Sequence, residues 1–338
     1  MMRLPWFQHH SPRTVEEAAR ILANEGPQAM LVAGGTDLLP NMKRRQQTPA
    51  VLVSLKKVEE LQRVANGSGL RLGAGLTLAA VADAPKVREG YAGLAQAAAQ
   101  VASTHLRNMG TIGGNVCLDT RCTYYNQSYE WRKAIDFCMK RDGETCWVAT
   151  ASKRCLAVSS TDTAPALISL GARARLVSAG GEREVALADF YRNDGIDYMA
   201  RRPDEVLAEI LLPALPGWKS TYWKLRRRGS FDFPVLGVAA AAKLAPDGTV
   251  EAARLVLGAV SSHPLVIKTD GLVGKKLTDD AIGELADAAQ SRAKPMDNTD
   301  LDLRWRKGVT AEFVRYALRE LRGDDMGAVR LRTAKQGF

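Results

Sequence analysis

Five cysteines stand between Cys117 and Cys155, and the other 299 residues carry none. Four of them, Cys122, Cys138, Cys146 and Cys155, lie in a polar stretch rich in charge and aromatics, spaced Cys-x15-Cys-x7-Cys-x8-Cys. Thiols confined to one window point to one local piece of sulfur chemistry. The odd count argues against complete pairing, and a cytoplasmic chain keeps its thiols reduced. Ligation of a metal or cluster is therefore the better reading than a disulfide framework. The spacing does not choose the metal. Structural zinc sites favour Cys-x2–4-Cys pairs and bacterial ferredoxins a Cys-x2-Cys-x2-Cys run, and the window has neither. Tyr124, Tyr125, Tyr129, Trp131, Phe137 and Trp147 either shield such a centre or pack the window's own small core.

A second chemistry is suggested by glycine. Leu31-Val32-Ala33-Gly34-Gly35-Thr36-Asp37-Leu38, a tight turn at the end of an apolar strand, and Thr111-Ile112-Gly113-Gly114-Asn115, part of a loop that follows a small-residue helix, are both glycine-rich. Glycine admits positive φ and close backbone approach, and successive exposed N–H groups form nests for phosphate oxygens. Neither segment is the Gly-x-Gly-x-x-Gly fingerprint or the phosphate loop of nucleotide hydrolases.

The elements that must carry these motifs are legible in outline. Thr14-Val-Glu-Glu17 reads as a capping box opening a helix to about Asn24. Strands are expected at 29–33, 51–55, 70–73 and 172–177, with helices at 91–103 and 163–170. After a break at Pro213-Ala-Leu-Pro-Gly217 come strands at 220–227, 235–244 and 250–260, then helices at 279–293 and 309–322. Three strands followed by helices indicate helices packed on an antiparallel sheet. The last dozen residues read as a loose tail.

Composition sets the outer limits. The 338 residues are 46% hydrophobic and 25% charged, which is globular and leaves room for two or three domains. No apolar run is long enough to span a membrane, and the N-terminus has no secretory signal, so a cytoplasmic location is expected. The formal charge of +10 suits either a solvated basic surface or docking to an acidic partner. The basic residues are scattered and no nucleic-acid-binding motif is present, which speaks against nucleic acid.

In order, Leu31–Leu38, Thr111–Asn115, Asp162-Thr-Ala-Pro-Ala-Leu-Ile-Ser-Leu-Gly-Ala172 and Lys224-Leu-Arg-Arg-Arg-Gly-Ser-Phe-Asp-Phe-Pro-Val235, with the helix around Arg304 to Leu321, form a set. That set resembles the flavin-binding medium subunits of the molybdenum hydroxylases, the family of xanthine dehydrogenase and carbon monoxide dehydrogenase. The resemblance implies an α+β chain. A vanillyl-alcohol-oxidase-like (PCMH-type) FAD-binding domain of two subdomains would span 1–215. An α+β domain with an antiparallel sheet and packed helices would span 216–324, and a tail 325–338. It also implies roles. Leu31 to Leu38 would wrap the FAD pyrophosphate, and Thr111 to Asn115 would hold the far side of the cofactor. Asp162 would accept hydrogen bonds from FAD hydroxyls, or cap its helix. Lys224 would reach the flavin end, and Val101 and Leu207 would pack on the cofactor.

In that family the Gly-Gly-Asn-Val-Cys segment runs almost directly into the Asp-x-x-Pro-Ala-Leu segment. Here 44 residues separate Cys117 from Asp162, so roughly Asp119 to Val158 are inserted. Cys117 belongs to the common scaffold, and the other four cysteines belong to the insertion. The insertion resembles that of the 4-hydroxybenzoyl-CoA reductases, a branch of the family whose β subunits hold a 4Fe–4S cluster there. This second resemblance implies an electron-transfer subunit with FAD and a 4Fe–4S cluster on Cys122, Cys138, Cys146 and Cys155. Its partners would be a large molybdenum-cofactor subunit and a small 2Fe–2S subunit in an α2β2γ2 assembly, with reduced ferredoxin as donor. No residue of this chain would act on the substrate, and His105 would be structural. Two other readings stay open: a medium subunit of an oxidative hydroxylase or aldehyde dehydrogenase with a similar loop, and a zinc-stapled scaffold without flavin.

Overall fold

The computed structural model describes residues 3–335. The N-terminal half builds two sheets. Strands β1 (Gln8–His10), β2 (Ala29–Val32) and β3 (Val51–Ser54) form a parallel sheet of order β1-β3-β2. Strands β4 (Val64–Asn66), β5 (Gly69–Gly73), β6 (Arg173–Ser178), β7 (Gly181–Ala186) and β8 (Val206–Pro213) form an antiparallel sheet of order β4-β5-β8-β6-β7. Helix α1 (Val15–Glu25) lays Val15, Ala18, Ala19 and Leu22 between them, the i, i+3, i+4, i+7 stripe of an amphipathic helix. It starts where the capping box places it: Thr14 Oγ1 accepts from the Glu17 N–H at 3.1 Å. The reciprocal arm is shifted by one residue, since Glu17 Oε2 takes the Arg13 N–H at 2.8 Å.

Six short helices follow in this half: α2 (Leu38–Lys43), α3 (Leu78–Asp83), α4 (Pro85–Gly90), α5 (Ala92–Ala99), α6 (Thr104–Arg107) and α7 (Ile112–Val116). The helix expected over 91–103 stops at Ala99. Its end is imposed from outside the run, by Arg107 donating to the Val101 carbonyl at 2.8 Å and the Phe231 N–H donating to that of Ala102 at 2.9 Å. Within the insertion only α8 (Tyr129–Ala134) is regular, and α9 (Thr163–Ser169) follows it.

The C-terminal part is an antiparallel sheet of order β12-β11-β10-β9, from β9 (Trp218–Leu225), β10 (Leu236–Leu244), β11 (Val250–Gly258) and β12 (Leu265–Ile267). Helices α10 (Asp279–Arg292) and α11 (Leu303–Arg322) cover one face, and α5 and α9 of the N-terminal domain cover the other. Burial on both faces explains why Val238 to Ala242 of β10 is an unbroken apolar run. Strand β9 alternates accordingly. Tyr222 joins the core of the N-terminal domain, while Trp223 and Leu225 join the helical layer.

The stretch read as a loose tail is instead helix α12 (Gly327–Lys335). Arg330 docks it by pairing with Glu320, donating to Thr221 Oγ1 at 2.6 Å and stacking 4.1 Å over Trp223. Residues 336–338 of that expected tail lie outside the described residues. Among the described residues no helix is long and apolar enough to cross a membrane.

Candidate functional site

The first glycine segment leaves β2 and turns into α2, and every residue from Leu31 to Leu39 is half-buried, so the segment floors a surface trough. Gly35 adopts φ +69°, where a side chain is strained. Gly34 is needed for space: an added Cβ would lie 2.0 Å from the carbonyl oxygen of Met109. Gly110 in turn stands against Thr36 Oγ1, which would be 3.3 Å from an added Cβ. The two glycine segments therefore pack on each other. Among the described residues, no protein acceptor meets the N–H groups of Gly34, Gly35, Thr36, Asp37 and Leu38. Five consecutive donors on a half-buried turn thus stay open to solvent or a ligand.

The second segment is not the open loop expected. Residues 112–116 are helical, capped by Thr111 Oγ1 on the Gly114 N–H at 3.0 Å. The Ile112 and Gly113 N–H groups donate at 2.9 Å to the carbonyls of Leu76 and Ala74. Its donors are spent on the scaffold, and only Gly114 is exposed. Asn115 reaches forward instead: its Oδ1 accepts from Thr161 Oγ1 at 2.9 Å, Thr163 N at 3.1 Å and Thr163 Oγ1 at 2.7 Å. With Thr161 Oγ1 on the Ala164 N–H at 3.2 Å, Asn115 caps α9. Asp162 makes no side-chain cap bond.

Asp162 and Lys224 find each other across the domain boundary. Lys224 Nζ donates to Asp162 Oδ2 at 2.9 Å and to the Gln100 carbonyl at 2.9 Å, and the Tyr222 hydroxyl donates to Asp162 Oδ1 at 2.8 Å. The Lys224 and Asp162 side chains are 0% and 3% exposed. Burial pushes the Asp162 carboxyl up and the Lys224 ammonium down, against the mutual attraction that opposes both shifts. Both carboxylate oxygens are thus occupied by protein. Leu207, on β8, is buried in the same core, and Val101 packs half-buried at its edge.

The insertion is closed at its base by one antiparallel rung. The Arg121 N–H donates to the Val158 carbonyl at 2.8 Å and the Val158 N–H to that of Arg121 at 2.7 Å. Inside, Cys122, Cys138, Cys146 and Cys155 all line one cavity, with Tyr124, Lys140 and Trp147 among its other walls. All four are buried, and Cys122, Cys138 and Cys155 belong with Tyr125 and Ala157 to a small core separate from the two large ones. Among the described residues, no three of His, Cys, Asp or Glu are gathered closely enough to hold one metal ion. The backbone beside Cys138 is held in unfavourable conformations: Asp136, Phe137 and Asp142 have φ of 59°, 57° and 71°. Each costs about 1–3 kcal/mol, and such clusters persist where the surroundings dictate them. Burial pushes the Cys122 thiol up to about 12 and the Cys155 thiol up to about 11. A cation arriving there must displace protons to gain thiolate ligands.

Three residues that sequence reasoning passed over tie the insertion down. Arg121, next to Cys122, pairs with Asp37 of the first glycine segment, donates to Asn41 Oδ1 at 3.3 Å and lies 4.5 Å over the Phe233 ring. Burial lowers its guanidinium to about 10. Asn298 of the C-terminal domain accepts from the Thr123 N–H at 2.9 Å and donates to the Leu156 carbonyl at 2.6 Å. Gly195 donates to the Cys155 carbonyl at 2.9 Å. None belongs to a periodic pattern; the one available cue was that Arg121 adjoins a cysteine. Cys117 lies outside the cavity, half-buried, with its thiol raised by desolvation. His105 is exposed on α6.

Comparison with known proteins agrees with this geometry. Residues 5–215 match the FAD binding domain in molybdopterin dehydrogenase, and residues 220–321 the CO dehydrogenase flavoprotein C-terminal domain. The chain is 34% identical over 272 residues to the aldehyde oxidoreductase FAD-binding subunit of Escherichia coli, covering 76% of this chain and 82% of that protein. It is 28% identical over 324 residues to the carbon monoxide dehydrogenase medium chain of Hydrogenophaga pseudoflava, covering 93% and 96%. A solved carbon monoxide dehydrogenase from that organism superposes with a TM-score of 0.77 at 27% identity, covering 94% of this chain and 98% of that one. The N-terminal domain is thus of the PCMH type. This chain belongs to the FAD-binding medium subunits of the molybdenum hydroxylase family.

Proposed function

We propose that this chain is the flavin and iron–sulfur subunit of a 4-hydroxybenzoyl-CoA reductase. It would hold FAD in its N-terminal domain and a 4Fe–4S cluster on Cys122, Cys138, Cys146 and Cys155. Reduced ferredoxin would supply electrons, and a small 2Fe–2S subunit would relay them to a large molybdenum subunit in an α2β2γ2 assembly. There two electrons and two protons convert 4-hydroxybenzoyl-CoA to benzoyl-CoA and water.

The observation that carries the reading is the convergence of four buried thiols from one insertion on one cavity. An all-thiolate donor set suits iron–sulfur. The flavin and the cluster supply the electron exchange; the chain positions them. Gly34 to Leu38 would take FAD phosphate oxygens on backbone N–H groups, with the Thr36 hydroxyl beside them. Asp162 and Lys224 are assigned to fastening the two domains beside that site, because their polar atoms are already engaged with one another. Arg121 would hold Asp37 and the insertion in fixed relation.

A second reading is favoured by a specific likeness. The relative from Escherichia coli is named for aldehyde oxidation, and an oxidative subunit would use the same cofactors with electrons leaving through the cluster. Anaerobic purification of the full chain, with FAD and iron counted per chain and an EPR spectrum after reduction, tests the cofactor set. One FAD and about four irons are expected. Cys138→Ser should lose the iron–sulfur signal and keep FAD; unchanged iron refutes the ligand set. Ferredoxin-driven dehydroxylation against aldehyde-driven acceptor reduction in the assembled complex then separates the two directions.

A further inference from the structure

Lys140 stands in the cavity wall with the four cysteines, yet its side chain is only 6% exposed. All three ammonium protons are engaged, by Asp119 Oδ1 at 2.8 Å, Thr120 Oγ1 at 2.7 Å and the Gly195 carbonyl at 2.6 Å. Nζ also lies 4.9 Å from the Tyr125 ring centre and 5.3 Å from that of Tyr198. The charge is therefore compact, fixed and unable to swing into solvent. One anchor leads straight back to sulfur. The Gly195 N–H holds the Cys155 carbonyl, and an added Cβ on Gly195 would lie 2.6 Å from Cys155 Sγ.

Asp119 faces the other way. Its Oδ2 takes the Tyr125 hydroxyl at 3.0 Å and the Gln47 amide at 3.3 Å, and it is not part of the cavity wall. Of the pair, Lys140 is the member that stands in the wall with the thiols.

Resting on the iron–sulfur reading above, we propose that Lys140 is a positioning residue whose buried ammonium raises the reduction potential of the sulfur-bound centre. Asp119 holds that ammonium and partly offsets it. Reduction adds negative charge at the cysteines, and a fixed cation in a poorly screened site favours the reduced form. Charge placed just beyond the ligands is a general lever on such centres.

The test is a redox titration followed by EPR on the full chain purified anaerobically. At the wild-type midpoint, Lys140→Met should lower the reduced-to-oxidised ratio about tenfold, which is 59 mV for one electron. Lys140→Arg keeps the charge and should stay close to wild type. Asp119→Asn removes the offsetting charge and should move the potential upward. A wild-type chain with no iron–sulfur signal overturns the cofactor reading and this inference with it. A wild-type signal, with Lys140→Met loaded to the same iron content and its potential unmoved, overturns this inference alone. If Lys140→Met loads no iron, Asp119→Asn decides: an upward shift supports the assignment, and an unmoved potential refutes it.

Discussion

Replacing Lys224 by Met tests whether the buried pair fastens the two domains. The variant removes the ammonium and leaves Asp162 enclosed with one remaining donor, the Tyr222 hydroxyl. Stranding one partner of a buried ion pair costs about 3–5 kcal/mol. The lost bond to the Gln100 carbonyl adds about 1 kcal/mol. At about 2–4 °C per kcal/mol for a domain of this size, the melting temperature should fall on the order of 10–20 °C. The loss should depend on pH with a definite sign. Burial already raises the Asp162 carboxyl, and removing Lys224 raises it further. Below the unfolded carboxyl value both states are protonated and no charge is stranded. The penalty grows as pH rises through the window up to the folded value. The deficit should therefore be smaller at pH 5 than at pH 8. Adding Asp162→Asn should restore about half the loss, because the buried charge is gone. Thermal unfolding at both pH values, read by tryptophan fluorescence, which includes buried Trp223 on the opposite face of β9, measures all three variants. A Lys224→Met deficit below about 1 kcal/mol, equal at both pH values, would refute a closed pair.

Two further substitutions probe close approach. Gly34→Ala places a methyl 2.0 Å from a backbone oxygen and should abolish FAD retention, whereas Gly35→Ala meets only the flexible Leu39 side chain and should cost about 1 kcal/mol for its positive φ; flavin absorbance after gel filtration compares them, and equal retention would show that the two segments do not need their contact. Gly195→Ala drives a methyl to 2.6 Å from Cys155 Sγ and 2.8 Å from Ala157 Cβ, so iron content should fall while FAD stays bound; metal analysis with flavin absorbance checks this.

Most elements with strong local signals were readable. The capping residues of α1 and the unbroken apolar run of β10 are local facts, and both elements formed where expected. What was not readable depended on distant partners. Alanines 97 to 99 carry no stop signal, and their helix ends where Lys224, Arg107 and Phe231 take the carbonyls of Gln100, Val101 and Ala102. Helix α11 is the exception: it starts at Leu303, ahead of the expected 309, on a local cap, Asp302 Oδ1 receiving the N–H groups of Arg304 and Trp305. The same division holds at the site. Cysteine spacing and glycine turns mark the two centres, but the cap made by Asn115, the pairing of Asp162 with Lys224 and the burial of Lys140 come from tertiary contacts.

The single rung between Arg121 and Val158 has an evolutionary reading. A loop whose ends already face each other closes itself, and lengthening such a loop adds little entropic penalty. Joining Thr120 to Ser159 would return the flavin scaffold to a short connection with both glycine segments in place. The sulfur-bearing segment is thus a portable cassette. In the function proposed above, its loss or gain would change which electron partner a scaffold of this kind serves, with the cofactor bed beneath unchanged.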